Sequence, residues 1–347
     1  MIELKQENKK GAEGTQIAQQ NNYYGMTYSD VKTLCGELIR GELELYKGEA
    51  ERVAIQREER LFSNIVEELK KEKITDGEIC NEFKSPDMQY AYVEAQKAFI
   101  RDGSENAERV LTNLIIKRVK EQDKSLLKIT LDEAITVVPK ILPEQLDTLA
   151  LCFVLRRTRF NTVNNMLTFF DFLRNTVLPL VKRSSLTEAS LMHLVYTGAG
   201  VMETGQISIE ELLANTYGGL FMKGNSLEEL KGYNERFPMM FTKCLRDNGK
   251  YQVNSISLEE LEKTLNKYKN ATRDDIEFIK HLFVSGIVSP EEIRKMICKD
   301  CSEMKELFEI WNGTRIKHFG LTSVGVVLGA IRLKQNTNIE FDLHTWI

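Results

Sequence analysis

The sequence predicts an almost entirely α-helical protein, a multi-helix bundle with a small C-terminal β element of winged-helix-like order. Three observations lead there. Apolar residues recur every three to four positions over most of the chain, repeated helix-start signatures precede them, and strict alternation is confined to the last residues.

The helix starts are Ser or Thr followed three residues later by an acid able to reach back to the cap amide. They stand at Ser185/Glu188, Ser208/Glu211, Ser226/Glu229, Ser257/Glu260 and Ser289/Glu292, with Pro290 at the first helical position of the last, and as a variant at Thr272/Asp275. Their unequal spacing argues for independent helices and against a solenoid of fixed period. In the first half, apolar positions from Val31 to Leu69 hold one helical face from about Thr27 to Lys73. Unbroken, such a helix would reach roughly 70 Å. It is read either as broken near Gly48 and packed on its own chain, or as a protruding helix that dimerises. Further helices are expected from Ser85 to Arg101, Ser104 to Val119, Ser125 to Val138, Pro143 to Thr158 and Thr162 to Lys182, the last bent by Pro179, and Phe319 to Ile331 reads as a buried helix. Strands are expected at Lys250 to Ile256, Thr314 to Phe319 and, from the alternation of Ile339, Phe341, Leu343, Thr345 and Ile347 with polar residues, at the C-terminus.

These boundaries divide the chain into a polar tail (1–26), a long helix or helical hairpin (27–84), a central bundle (85–250) and a C-terminal helical subdomain with small strands (251–347). With 347 residues, more than one core is expected. A net charge of -4 gives no global reason to bind nucleic acid or an anionic membrane, and no apolar run approaches the roughly 20 residues of a spanning helix. The polar start and six scattered cysteines fit a cytoplasmic protein with free thiols.

The tail is the most unusual stretch. Gln16, Gln19, Gln20, Asn21 and Asn22 surround Ile17 between glycines, a composition suited to amide ladders between identical paired strands. The alternatives are a flexible tail or a strand added to the C-terminal one. Gly14-Thr-Gln-Ile17, Gly25-Met-Thr-Tyr28, Pro86-Asp-Met-Gln-Tyr-Ala91, Glu94-Ala-Gln-Lys-Ala-Phe99, Leu321-Thr-Ser-Val-Gly325 and the closing Phe341 to Ile347 resemble a family of uncharacterised bacterial helical proteins, a likeness that covers nearly the whole chain and implies no activity. Residues 11–25 separately resemble the amyloid-type homotypic signalling motifs that bacterial defence systems place ahead of effector or adaptor domains. Here Gln16-Ile17-Ala18-Gln19 stands where that motif has an apolar residue, Gln, an apolar residue and Gly.

Other candidates are weaker. Cys298 and Cys301 have half of a zinc spacing, without a second pair. Arg156, Arg157 and Arg159, with Arg174, Lys182 and Arg183, form the densest basic cluster, read either as helix-end capping or as an anion or nucleic-acid contact. A winged-helix reading would make Ser302 to Asn312 the DNA-reading helix, but Glu303, Glu306 and Glu309 there would repel phosphates. None of the four histidines is paired at metal-binding spacing, and neither a phosphate loop nor a nucleophile elbow is present. The expectation is a non-enzymatic helical adaptor or sensor in bacterial anti-phage defence, without cofactor or membrane, that contacts a protein partner and self-associates. The alternative is a nucleic-acid-binding protein or nuclease using the Arg156–Arg183 surface.

Overall fold

A computed structural model describes residues 27–347, apart from Gln122 and the side chain of Glu42. The amide-rich stretch Gln16 to Asn22, expected to self-associate, lies outside the described residues.

The chain opens with α1 (Tyr28–Leu38), behind a capping box of Thr27 and Asp30, and the single turn α2 (Arg40–Leu43). It leaves the helix before Gly48, whose φ of 63° suits glycine, and re-enters it as α3 (Glu49–Lys71). The broken-helix reading of residues 27–73 is therefore the one that forms. The face of α3 turned inward is Ala54, Glu58, Leu61, Phe62, Ile65, Val66 and Leu69, spaced at three and four. α4 (Asp76–Glu82) starts on a Thr75/Glu78 box, α5 (Pro86–Asp102) starts on Pro86 and closes on Gly103 at φ 70°, and α6 (Glu105–Lys120), α7 (Leu126–Val137) and α8 (Pro143–Arg157) complete the bundle.

α9 (Met166–Phe172) begins later than expected, because the Asn165 side chain accepts from Thr168 N–H and sets the cap there. A π-turn at Leu173–Val177 joins it to α10 (Leu178–Arg183). In that turn Leu178 N–H reaches back to Leu173 O, a register shift just ahead of Pro179, which has no N–H to donate.

The second half is a run of short helices: α11 (Glu188–Tyr196), α12 (Ile209–Tyr217), α13 (Leu227–Leu230), α14 (Tyr233–Arg236), α15 (Leu258–Leu265), α16 (Arg273–Gly286), α17 (Pro290–Asp300), α18 (Met304–Gly313) and α19 (Ser323–Thr337). Full capping boxes form at Ser208, Ser226, Thr272 and Ser289, and Ser257 caps α15 by accepting from Glu260 N–H. The box at Ser185/Glu188 does not form. Ser185 is held on α8, donating its N–H to Glu144 O and accepting from the Thr148 hydroxyl, so Thr187 becomes the cap of α11.

Among the described residues four short strands make two antiparallel pairs, β1 (Gly200–Met202) with β4 (Phe319–Leu321) and β2 (Phe241–Lys243) with β3 (Tyr251–Val253). The expected strand at Lys250 to Ile256 is β3. That at Thr314 to Phe319 is a 3-10 turn, Arg315–His318, followed by β4, and α19 starts only at Ser323. The alternating C-terminus is not a strand. Asp342 accepts from His344 N–H and winds Leu343–Thr345 into a 3-10 turn, while Phe341 and Trp346 pack on Phe153 and Trp346 Nε1 donates to Arg157 O. Its apolar residues face a helix surface instead of a strand neighbour, and β4 takes its partner from β1, upstream.

Buried residues from Val31 to Leu343 form one large cluster, and Met222 to Phe283 form a smaller one around β2, β3 and α16. α19 is the central rod of the large cluster and packs most extensively on α8. Arg118 of α6 is fully buried and ties three helices, pairing with Asp87 at the start of α5 and donating to Asp132 Oδ1 of α7 at 2.7 Å.

In the smaller cluster, Asp275 carries a junction. Its carboxylate accepts from Thr272 N–H at 2.8 Å, Tyr233 Oη at 2.9 Å and Arg236 Nη1 at 2.7 Å, holding α14 against the start of α16. Chiefly through the Thr272 amide, its pKa falls to about 2. A carboxyl depressed by folding contributes stability above its unfolded pKa and loses it as pH falls through the folded value. The smaller cluster is therefore expected to weaken as pH falls from about 4 to about 2. Asp275→Asn should lower the melting temperature at pH 7 and narrow the difference between pH 7 and pH 3. An unchanged difference would remove Asp275 from this role.

Candidate functional site

Of the six basic candidates, Arg156, Arg174 and Arg183 are engaged by other groups of the protein. Arg156 is largely buried, with Nη2 donating to Ile316 O and Lys317 O at 3.1 and 2.9 Å, the guanidinium over Trp311 and Glu203 at 3.6 Å. It caps the carbonyls of the 3-10 turn before β4. Arg183 approaches the buried Asp147 at 3.4 Å, and Arg174 donates to Asp300 O at 2.6 Å over the Phe170 ring. Arg174 and Lys182 both act on Glu303, so the acidic edge of α18 offsets them. Arg157 and Arg159 stand exposed. A phosphate backbone needs a continuous cationic track, whereas Arg156, Arg174 and Arg183 are each taken up by a carbonyl or a carboxylate of the protein.

Cys301 is buried at the end of α17 and Cys298 is half-buried one turn earlier. Among the described residues no group of three His, Cys, Asp or Glu side chains could hold one metal ion.

Two other places stand out. The first is the outer face of α11. Ser190, Leu191 and Leu194 turn into the core, which leaves Ala189, Met192, His193 and Tyr196, spaced at three and four, on the surface. Tyr196 is 86% exposed and Met192 42%. Tyr196 stacks on the His193 ring with centroids 6.4 Å apart. Beside them the start of α8 presents Leu142, 63% exposed. Gln145 locks the two helices together, its Oε1 accepting from Leu142 N–H at 3.0 Å and its Nε2 donating to Ser190 O at 3.1 Å. Leu142, Met192 and Tyr196 therefore stand on a fixed frame.

The second is a cleft of about 730 Å³ between the start of α12 and the facing sides of α17 and α18. That volume lies in the range of small-molecule sites. On α17 the residues Glu291, Arg294, Lys295 and Cys298 line it, spaced at three and four, while Ile293 and Ile297 pack inward. Across from them is Glu210, 5% exposed, whose Oε2 is buried without a hydrogen-bond partner. Arg294 lies over the Phe308 ring at 5.5 Å. Burial raises the Cys298 thiol pKa, Glu210 pushes it the same way, and Arg294 and Lys305 oppose.

Neither place was singled out from the sequence. Their spacing of three and four was there to read, but every amphipathic helix has two such stripes, and which one is left uncovered depends on its neighbours.

The fold and these two surfaces define a mainly α-helical protein with an exposed apolar face on α11 and a cleft lined by charged residues, in which no helix of the described residues is long and apolar enough to cross a membrane. A family model described only as ":-like" matches residues 25–347, and the chain belongs to that family. No curated protein and no solved structure matches the chain.

Proposed function

We propose that this protein is a non-enzymatic helical adaptor that acts by protein contact, beginning with contact between copies of itself. The observation that carries the reading is the exposed surface of Leu142, Met192 and Tyr196 on a hydrogen-bonded frame. Large apolar side chains gathered on a rigid face are the usual core of a protein interface, and aromatic residues dominate its energetics. Leu142, Ala189, Met192 and Tyr196 are uncharged, so two copies related by a two-fold axis would bring these four side chains together without like-charge contact among them.

The amide-rich composition of residues 16–22 supports a second mode of self-association. A defence setting rests on the resemblance of residues 11–25 to homotypic signalling motifs. A cytosolic setting is supported by six free cysteines, five of them buried.

Light scattering on three forms tests this. Full-length protein is expected above monomer mass. Removal of residues 1–26, or Met192→Ser with Tyr196→Ser, is expected to lower the mass and so identify the surface in use. A strict monomer in all three forms would overturn the reading.

A further inference from the structure

A carboxyl group is buried beneath the first helix. Glu58 of α3 is 9% exposed, and among the described residues its one hydrogen-bond donor is the Gln96 amide of α5, Nε2 to Oε1 at 3.1 Å. The same nitrogen donates to Cys35 O at 3.2 Å, a carbonyl in the last turn of α1. The unpaired carbonyls of a helix C-terminus carry partial negative charge, so an ionised Glu58 and the end of α1 repel across one shared amide. Beside them Gln96 Oε1 and Tyr92 Oη are buried without a hydrogen-bond partner, which leaves the cluster short of donors for a charge.

Burial pushes the Glu58 carboxyl up from the usual glutamate value, Glu59 adds to the rise, and the Gln96 amide and Lys32 of α1 oppose it. The Cys35 thiol and the Tyr92 hydroxyl, which also face it, are raised by burial and stay neutral. Of the three helices that meet here, α1 buries only Val31 and Cys35, whereas α3 and α5 each bury seven or more residues, so α1 is the one that yields.

We infer that Glu58 is a proton-controlled latch on α1: with the carboxyl neutral α1 stays seated, and with it ionised α1 lifts from α3 and α5. Lifting uncovers apolar side chains of α3, among them Phe62, whose ring packs 5.9 Å from that of Tyr28. A carboxyl held above its unfolded value contributes stability at low pH and loses it as pH rises through the folded value. The seat of α1 therefore weakens as pH climbs above 4.5. The Asp30 carboxyl in the cap of α1 is lowered instead, so its effect is confined to lower pH.

Amide hydrogen exchange of full-length protein at pH 5 and pH 8, corrected for the intrinsic rate at each pH, tests the latch. Protection of residues 31–39 is expected to fall at least about threefold more than that of α8 between the two pH values. In Glu58→Gln, which keeps the size and the neutral state of the protonated carboxyl, that difference should vanish. Lys32→Ala removes the opposing cation at an exposed position, so it should fold and deepen the fall. Met192→Ser with Tyr196→Ser should leave the fall unchanged, so the latch and the contact face fail separately. Equal protection of α1 at both pH values, a fall that persists in Glu58→Gln or is not deepened in Lys32→Ala, or one shared equally by α5 and α8, would overturn the inference.

Discussion

Gly325→Ala is expected to be among the most damaging single substitutions in the chain, although it adds one methyl group. A Cβ built at Gly325 would lie 1.9 Å from Ala199 O, and one at Gly329 would lie 2.7 Å from Leu149 O. Both obstacles are backbone atoms, so no rotamer change relieves the clash, and α19 must move off β1 and α8. Because α19 is buried from Gly325 to Ile331 and packs most extensively on α8, that shift opens the centre of the large cluster. The expected loss is about 3 kcal/mol or more, at the upper end of overpacking costs. It should appear as a fall in the urea midpoint at unchanged slope. Gly313→Ala is the control. Nothing lies within 4 Å of a Cβ there, and its effect should stay under about 1 kcal/mol. Equal effects at the two positions would mean that α19 does not approach β1 this closely.

Arg332→Met is expected to cost nearly as much, by a different mechanism. Asp147 of α8 is 2% exposed, and Arg332 of α19 grips it with two parallel bonds, Nε to Oδ1 at 2.9 Å and Nη2 to Oδ2 at 2.8 Å. The same guanidinium reaches Asn106 Oδ1 of α6 at 2.7 Å, so one side chain joins three helices. Without it, the one ion-pair partner left to Asp147 among the described residues is Arg183, half-exposed and 3.4 Å away. Breaking one side of a buried pair costs about 3 kcal/mol or more, because the remaining charge has neither water nor partner. Arg332→Lys should recover only part of the loss, since an ammonium cannot make the paired contact. Adding Asp147→Asn to Arg332→Met should restore stability relative to Arg332→Met alone. A cost below about 1 kcal/mol would show that Asp147 is solvated.

The caps and helical stripes were legible in the residues because they are local. Thr272 needs only Asp275 three positions on, and Gly103 needs only its own freedom to take a left-handed conformation. Misreadings arose where a distant element decided. Ser185 has an acid at the right spacing, yet α8 takes its amide and carbonyl. The residues after Asn338 alternate like a strand, yet among the described residues no strand pairs with them and Phe153 offers an aromatic surface. The Arg156 cluster could be read as helix-end capping or as an anion contact; Arg156 does cap carbonyls, but those of the distant turn before β4, and Arg183 turns to Asp147. Glu210 lay hidden for the opposite reason. It stands beside the capping acid Glu211, and only the packing of α17 across from it reveals an unpaired oxygen.

The contact reading is tested most directly by hydrogen–deuterium exchange of full-length protein at concentrations below and above the onset of association. Residues 189–196 and the amides around Leu142 should exchange more slowly at the higher concentration, and Met192→Ser with Tyr196→Ser should abolish the difference. Exchange in α11 that is identical at all concentrations, in a protein whose mass does rise, would place the contact elsewhere and contradict the role assigned to this face.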